Sequence, residues 1–315
     1  MVKALAQTGL VRRSPRKQRH PLAASALEQA AKSVAVRSPQ PPEVATVNKL
    51  ARPFLSVVIP AFNEAERIPQ TLAMFLQYLH SLDYAWEIIV VDDGSSDRTV
   101  DVVEAIAAAQ LIKDHMNDHP IDTANDVTEQ DAGTGATAKA IGQIKLIKLP
   151  TNQGKGSAVR TGVLASRGEQ VLFSDADGST PLPELFKLQA QLASGYEIAI
   201  GTRRDQTLVS KRQPFYRTIL GEGFNWLARL TIGAQIQDTQ CGFKLIKGDL
   251  CRSLFAQMQI PGFGFDVELL YLAHRAGSTI AQVPVVWRND TRSKVNVFRD
   301  PLLMFVDLVR IRLMH

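Results

Sequence analysis

Between residues 55 and 200 short apolar runs alternate with longer amphipathic stretches. Ile88-Ile89-Val90-Val91 is β-branched and uninterrupted, the pattern of a strand buried on both faces. Runs of the same kind predict strands at 55 to 60, 87 to 91, 144 to 149, 170 to 174 and 197 to 200. The segments between them predict helices at about 64 to 81, 97 to 109, 156 to 166 and 181 to 192. Strand following helix in this way implies a mostly parallel α/β sheet with right-handed crossovers and helices on both faces. The carboxyl-terminal half is less regular. It ends in a helix with Leu302, Phe305, Val306, Val309 and Leu313 at helical spacing, with Arg310 and Arg312 alongside. Such a stripe either packs on the domain, the commoner outcome, or lies in a membrane surface.

The pattern fails in two places. Residues 1 to 53 carry Arg12, Arg13, Arg16, Lys17 and Arg19 against only Glu28 and Glu43, together with Pro39-Gln40-Pro41-Pro42. With little to form a core, this segment is expected to be a disordered basic tail, leaving residues 54 to 315 as one domain. Residues 113 to 142 hold six acids and then Gly, Ala and Thr, and read as a disordered insertion between a helix and a strand. No calcium-loop spacing is present there.

The whole chain of 315 residues is 45% hydrophobic and has a net charge of +5, much of it from the tail. No run reaches about 18 apolar residues, and no apolar segment follows the amino-terminal arginines as a secretory signal would. The catalytic domain is therefore expected on the cytoplasmic side. The two cysteines, Cys241 and Cys251, form neither a disulfide framework nor a zinc pattern and are expected to be buried and reduced.

Candidate chemistry gathers where the predicted strands end. Leu172-Phe173-Ser174-Asp175-Ala176-Asp177-Gly178 closes an apolar run with two carboxylates one residue apart, which on an extended chain point the same way. Asp92 and Asp93 follow the strand at 87 to 91, and Asp-Gly-Ser-Ser-Asp then turns the chain into a helix. The first strand runs through Pro60 into Ala61-Phe62-Asn63-Glu64. Carboxyl ends of strands are where open α/β sheets bind ligands. Asn152-Gln153-Gly154-Lys155-Gly156 adds glycines at a helix start and a lysine able to reach phosphate, but it lacks the glycine spacing of a Walker loop.

These four motifs, in this order, resemble the inverting, nucleotide-sugar-dependent glycosyltransferases of family 2, which have the Rossmann-like GT-A fold. The resemblance covers roughly residues 54 to 315. Gln237-Asp238-Thr239-Gln240-Cys241-Gly242-Phe243-Lys244 and Gly264-Phe265-Asp266-Val267-Glu268-Leu269-Leu270 are most similar to the dolichyl-phosphate β-glucosyltransferases and their prokaryotic polyprenyl-phosphate relatives. The resemblance implies a metal site at Asp177 with Asp175 beside it, for Mg²⁺ or Mn²⁺. It implies a UDP-sugar pocket lined by Pro60, Phe62, Glu64, Asp93, Lys155 and Asp175. It also implies an acceptor phosphate held by Arg203 and Arg217, with Asp266 near the reacting groups. Many relatives have a glutamine two residues after the second Asp of the pair, where this chain has Ser179.

The reading that follows is transfer of a hexose, glucose from UDP-glucose, to a polyprenyl phosphate, by an enzyme held peripherally on the cytoplasmic face of a membrane and with no nucleic-acid partner. Two alternatives stand beside it. One is a family 2 transferase with a hydroxyl acceptor on a saccharide or metabolite. The other is a non-catalytic nucleotide-responsive protein that uses its basic tail on membrane or nucleic acid.

Overall fold

The computed structural model describes residues 52–118, 142–203, 223, 226–233, 236–288 and 299–315. These fall in the larger of two compact units of the chain, Glu43–His315. Residues 1–51 of the expected tail, 119–141 of the expected insertion, and Arg217 lie outside the described residues.

Seven strands form one sheet in the order β3-β2-β1-β4-β6-β5-β7. They are β1 (Leu55–Ala61), β2 (Trp86–Asp92), β3 (Gly142–Lys148), β4 (Gln170–Ser174), β5 (Ile198–Thr202), β6 (Phe243–Lys247) and β7 (Ile280–Pro284). Strand β6 runs antiparallel to both its neighbours, β4 and β5, and every other pairing is parallel. Chain order runs one way from β1 through β2 to β3 and then jumps to β4 on the other side of β1. That reversal opens a crevice at the carboxyl ends of β1 and β4, the usual ligand site of such sheets. Because β6 is antiparallel, its start at Phe243 pairs with the end of β4 at Ser174. Residues just before β6 thus reach the same edge.

Among the described residues the α-helices with defined ends are α1 (Ile68–Leu79), α2 (Thr99–Asp118), α3 (Lys155–Ala165), α4 (Leu185–Ala193), α5 (Gly248–Gln257), α6 (Phe265–Arg275) and α7 (Arg299–Met314), and residues 226–232 are also helical. Side chains alternate along each strand, so β1 sends Val57 and Ile59 to one face and Val58 to the other. On the first face they meet Leu72 and Phe75 of α1, Val103 of α2 and Leu188 of α4. On the second face Val58, Val171 and Phe173 pack with Val159 of α3, Phe255 of α5 and Phe265 of α6. Burying each such side chain is worth about 1.5–3 kcal/mol, which explains the uninterrupted apolar runs 57–59, 88–91 and 171–173 at the centres of β1, β2 and β4. Gly142 opens β3 because the Trp86 ring covers it, and a Cβ there would lie 2.0 Å from that ring.

Three elements depart from the sequence pattern. Helix α1 begins at Ile68 rather than near 64, because the Glu64 carbonyl closes a turn by accepting from Arg67 N and Ile68 N, and Pro69 then occupies the first turn. Helix α2 continues to Asp118, into the stretch expected to lack structure. Leu111 and Ile112 are exposed there, and the alanine-rich run before them favours continued helix. The third departure is α7. Its buried positions are Met304, Leu308 and Ile311, while Leu302, Phe305, Val306, Val309 and Leu313 are 66, 47, 40, 50 and 81% exposed. The stripe singled out in the sequence therefore does not pack on the domain; the helix carries a second apolar face that does.

Candidate active site

The loops after β1 and β2 are fastened to each other by Asn63, which adopts the left-handed conformation with φ 55°. Asn63 Oδ1 accepts from Ser96 N at 2.8 Å, and Asn63 N donates to Ser95 Oγ at 2.8 Å. Asparagine tolerates this backbone region and offers the side-chain acceptor that the second loop needs. Pro60 is buried in β1, and Phe62 stands partly exposed at the loop. Glu64 is buried in a two-point ion pair with Arg67, one contact being Nε to Oε2 at 2.5 Å. Its carboxylate thus braces the first turn before α1.

Asp93 is buried, and both its oxygens are engaged by the turn into α3. Oδ1 accepts from Gln153 N at 2.7 Å and Oδ2 from Gly154 N at 2.9 Å. Burial still raises its carboxyl above the usual value, against these two donors and with help from the neighbouring Asp92. Gly154 has φ 99°, and a Cβ on it would lie 2.4 Å from the Pro261 carbonyl. Only glycine lets the turn pass so close to the loop before α6.

From this turn Lys155 reaches Asp175. Its Nζ lies 2.6 Å from Asp175 Oδ1, and that buried oxygen meets no other donor. Burial would lower the lysine's pKa, but the charges of Asp175, Asp266 and Asp177 prevail and raise it. The amine is therefore cationic. Asp177 is pushed up by burial and by the Asp175 charge. Ser179 N donates to Asp177 Oδ1 at 2.9 Å, so the residue that replaces the expected glutamine orients the carboxylate. Asp175 itself depends on Gly242, where a Cβ would fall 2.1 Å from Asp175 Oδ2.

Asp266, at the start of α6, is buried and pairs with Lys244 Nζ at 2.5 Å. Lys244 has no exposed surface, also donates to the Cys241 carbonyl at 2.8 Å, and sits 5.0 Å from the centre of the Phe173 ring. Burial holds the Asp266 carboxyl above its usual range in spite of Lys244 and Lys155 nearby. Glu268, two residues on, is buried and serves the fold. Its two oxygens accept from Gln259 N and Ile260 N, each at 2.8 Å.

Arg203 follows β5 and grips Asp238 in two-point fashion, Nε to Oδ2 at 2.7 Å and Nη2 to Oδ1 at 2.8 Å. Its guanidinium also lies 5.5 Å from the Trp287 ring centre. Burial opposes ionisation of Asp238, but Arg203 outweighs it and holds the carboxyl down at about 2.

Asp175, Asp177, Lys155 and Asp266, named from sequence, thus come together into one charge cluster, and Asp93 anchors the turn that delivers Lys155. Glu64 stands apart in its pair with Arg67. Lys244, Asp238 and Gly242 received no individual role in the sequence reading. A lysine inside the apolar run Phe243-Lys244-Leu245-Ile246 is the signal that could have found the first of them, because an isolated buried charge demands a partner.

Among the described residues no group of three or more His, Cys, Asp or Glu is placed to hold a metal ion. Asp175 and Asp177 nonetheless fit a hard divalent cation. The charge of Asp175 raises the proton affinity of Asp177, so the site calls for positive charge, and an oxygen-rich shell completed by water and a diphosphate suits Mg²⁺ or Mn²⁺.

The model of glycosyl transferase family 2 matches residues 56–121 and 122–255. A dolichyl-phosphate beta-glucosyltransferase of Drosophila melanogaster is 37% identical over 270 residues, 82% of this chain and 74% of that protein. The enzyme of the same name from Dictyostelium discoideum is 34% identical over 86% of this chain and 78% of its own length. The human one is 33% identical over 83% and 75%. Among solved structures, glucosyl-3-phosphoglycerate synthase from Mycobacterium tuberculosis, in complex with Mn²⁺, UDP-glucose and phosphoglyceric acid, superposes with a TM-score of 0.54. It is 20% identical and the match covers 82% of this chain and 79% of that one, a likeness of fold.

Proposed function

Since the chain belongs to glycosyl transferase family 2, we propose that it transfers glucose from UDP-glucose to a dolichol-type polyprenyl phosphate, with inversion at the anomeric carbon. The observation that carries this reading is the cluster at the sheet edge. There Asp175 and Asp177 face Lys155, with Arg203 beyond them, so anionic groups of donor and acceptor find counter-charges on one surface.

Asp177, with Asp175, would hold Mg²⁺ or Mn²⁺, which when bound supplies positive charge to the leaving diphosphate. Lys155 stays charged and would donate to a diphosphate oxygen. Asp93 fixes the Gln153-Gly154 turn that aims Lys155, and with Pro60 and Phe62 it would line the nucleobase pocket. Glu64 contributes by holding Arg67 in place. Arg203 and Arg217 bind the acceptor phosphate, since guanidinium forks match phosphate oxygens in two-point geometry. Asp238 fixes the plane of the Arg203 guanidinium. The acceptor enters as a phosphate monoester, whose second pKa is about 6, so its oxygen attacks with little help from a base. Asp266 then serves to keep Lys244 and the nearby loops in register. On this reading the enzyme works peripherally at the cytoplasmic face of a membrane. Among the described residues no helix is long and apolar enough to cross one.

One observation favours a hydroxyl acceptor as the second reading. Burial raises the Asp266 carboxyl, as suits a general base. Incubation with radiolabelled UDP-glucose and divalent cation, offering dolichyl phosphate or soluble saccharides and metabolites in turn, separates the two. Label is expected in the organic extract with dolichyl phosphate. Label passing only to a water-soluble hydroxyl compound would establish the second reading, and label left in UDP-glucose in every mixture would overturn both.

Gly242→Ala tests the donor side. The added methyl group overlaps the Asp175 carboxylate and must displace it. Turnover is expected to fall at least tenfold and Mn²⁺ affinity to weaken, as read by calorimetry in the presence of UDP. Unchanged metal affinity would remove Asp175 from the cation site.

A further inference from the structure

We propose that the outward face of α7, with the adjoining helical stretch at 226–232, is the surface on which this protein rests on a lipid bilayer, holding the acceptor-side loops at headgroup level. The inference rests on the proposed lipid-phosphate acceptor and names the surface that would meet the lipid.

Helix α7 is apolar on two opposite sides. Met304, Leu308 and Ile311 bury against the domain, whereas Leu302, Val306, Val309 and Leu313 are exposed. Those four positions fall within about 60° of one another around the helix axis. An aqueous surface gives no reason to keep such a stripe along a whole helix. At 16 residues α7 is about 24 Å long, short of the roughly 30 Å hydrocarbon core, so it lies along a bilayer rather than across it.

The rim has the chemistry of a headgroup layer. Arg310 and Arg312 flank the stripe on either side, where phosphates of a lipid surface would lie. The Arg312 guanidinium also ties α7 to the neighbouring stretch, Nη2 donating to the Leu230 carbonyl at 2.6 Å. There Leu230 and Trp226 are 55 and 60% exposed, and tryptophan is the residue favoured at a membrane interface.

The inner side of α7 meets the site. Met304 Sδ lies 3.8 Å from Gln240 Nε2, in the loop that carries Asp238. Asp307 abuts Gly264, two residues before Asp266, so closely that a Cβ on the glycine would be 2.7 Å from Asp307 Cβ. A bilayer on the outer face therefore lies one helix diameter from the loops that hold Arg203 and Asp266. A lipid phosphate could reach them while its chain stays in the membrane.

The test uses the full chain and a triple variant, Leu302→Gln, Val309→Gln and Leu313→Gln, which adds no charge. Phosphatidylcholine vesicles at about 0.5 M salt screen the basic amino-terminal segment to within about 4 Å, so sedimentation reports apolar insertion. The wild-type chain is expected to sediment, and the variant's partition coefficient to fall at least tenfold. Its melting temperature and its turnover on a short, water-soluble isoprenyl phosphate should stay within experimental scatter of wild type, since exposed side chains were changed. Equal sedimentation of both chains overturns the proposal. Absence of vesicle binding by the wild-type chain, with a dimer in light scattering that the variant loses, overturns it in favour of a second copy. If wild type binds vesicles and the variant does not, yet neither transfers glucose to any prenyl phosphate, the acceptor reading fails while the bilayer surface stands.

Discussion

Asp177→Asn is expected to lower transfer by a hundredfold or more at saturating metal while leaving the melting temperature unchanged or slightly higher. The first effect follows from charge. A carboxylate that holds a cation against a departing diphosphate acts where negative charge grows, and losing one such stabiliser typically costs about 10²–10³ in rate. The second follows from the direction in which burial and Asp175 shift Asp177. Its folded pKa is raised, so the folded protein holds a proton there more tightly than the unfolded chain does. Stability from this group is present below the unfolded value and falls as pH rises towards the folded value. At neutral pH without metal the charge therefore opposes folding, and an amide of the same shape still accepts from Ser179 N. Mn²⁺ with UDP should raise the melting temperature of the wild-type chain by mass action, and the variant should lose most of that rise. Wild-type turnover by the variant at saturating metal would remove Asp177 from the reaction.

Strands β1, β2 and β4 were legible because burial of nearly every residue leaves an unambiguous signature, whereas β6 and β7 are not among the five strands the pattern predicted. The run at 170 to 174 coincides with β4, and β1 and β2 differ from expectation by one residue at each end at most. Their carboxyl ends announced the site, since Asp93, Asp175 and Asp177 each follow an apolar run. What escaped the sequence depends on contacts between distant segments. Arg203 and Asp238 are 35 residues apart, and their pairing forms only when the segment between them has folded back. The placement of β6 between β4 and β5 is likewise a matter of long-range pairing, and with it come Gly242 beside Asp175 and Lys244 beside Asp266. In α7 the periodicity marks apolar positions on both sides, and nothing local chooses the inner one. That face is chosen by long-range packing, with Leu308 and Ile311 in the core cluster and Asp307 close against Gly264.

Lys244→Met is expected to destabilise the fold by about 3–5 kcal/mol, the usual cost of removing one partner from a buried ion pair. Methionine keeps the apolar stem of the lysine but lacks the Nζ that lies over the Phe173 ring. The loss is therefore electrostatic. Asp266 would keep a carboxyl group in a fully buried place without its nearest cation, and the Cys241 carbonyl would lose its donor. Burial already raises the Asp266 carboxyl with Lys244 present. Without that charge the raised value moves further up, so the variant's stability should fall more steeply with rising pH than that of wild type, above the ordinary carboxylate range. Urea unfolding at several pH values measures both effects. Pairing the change with Asp266→Leu should restore much of the stability, because two apolar side chains of suitable shape leave no charge stranded. Activity should not return with it, if Asp266 and Lys244 keep the catalytic loops in register. A single variant as stable as wild type across that pH range would show that the pair contributes nothing to the fold. A stable double variant with full turnover would remove both residues from the working site.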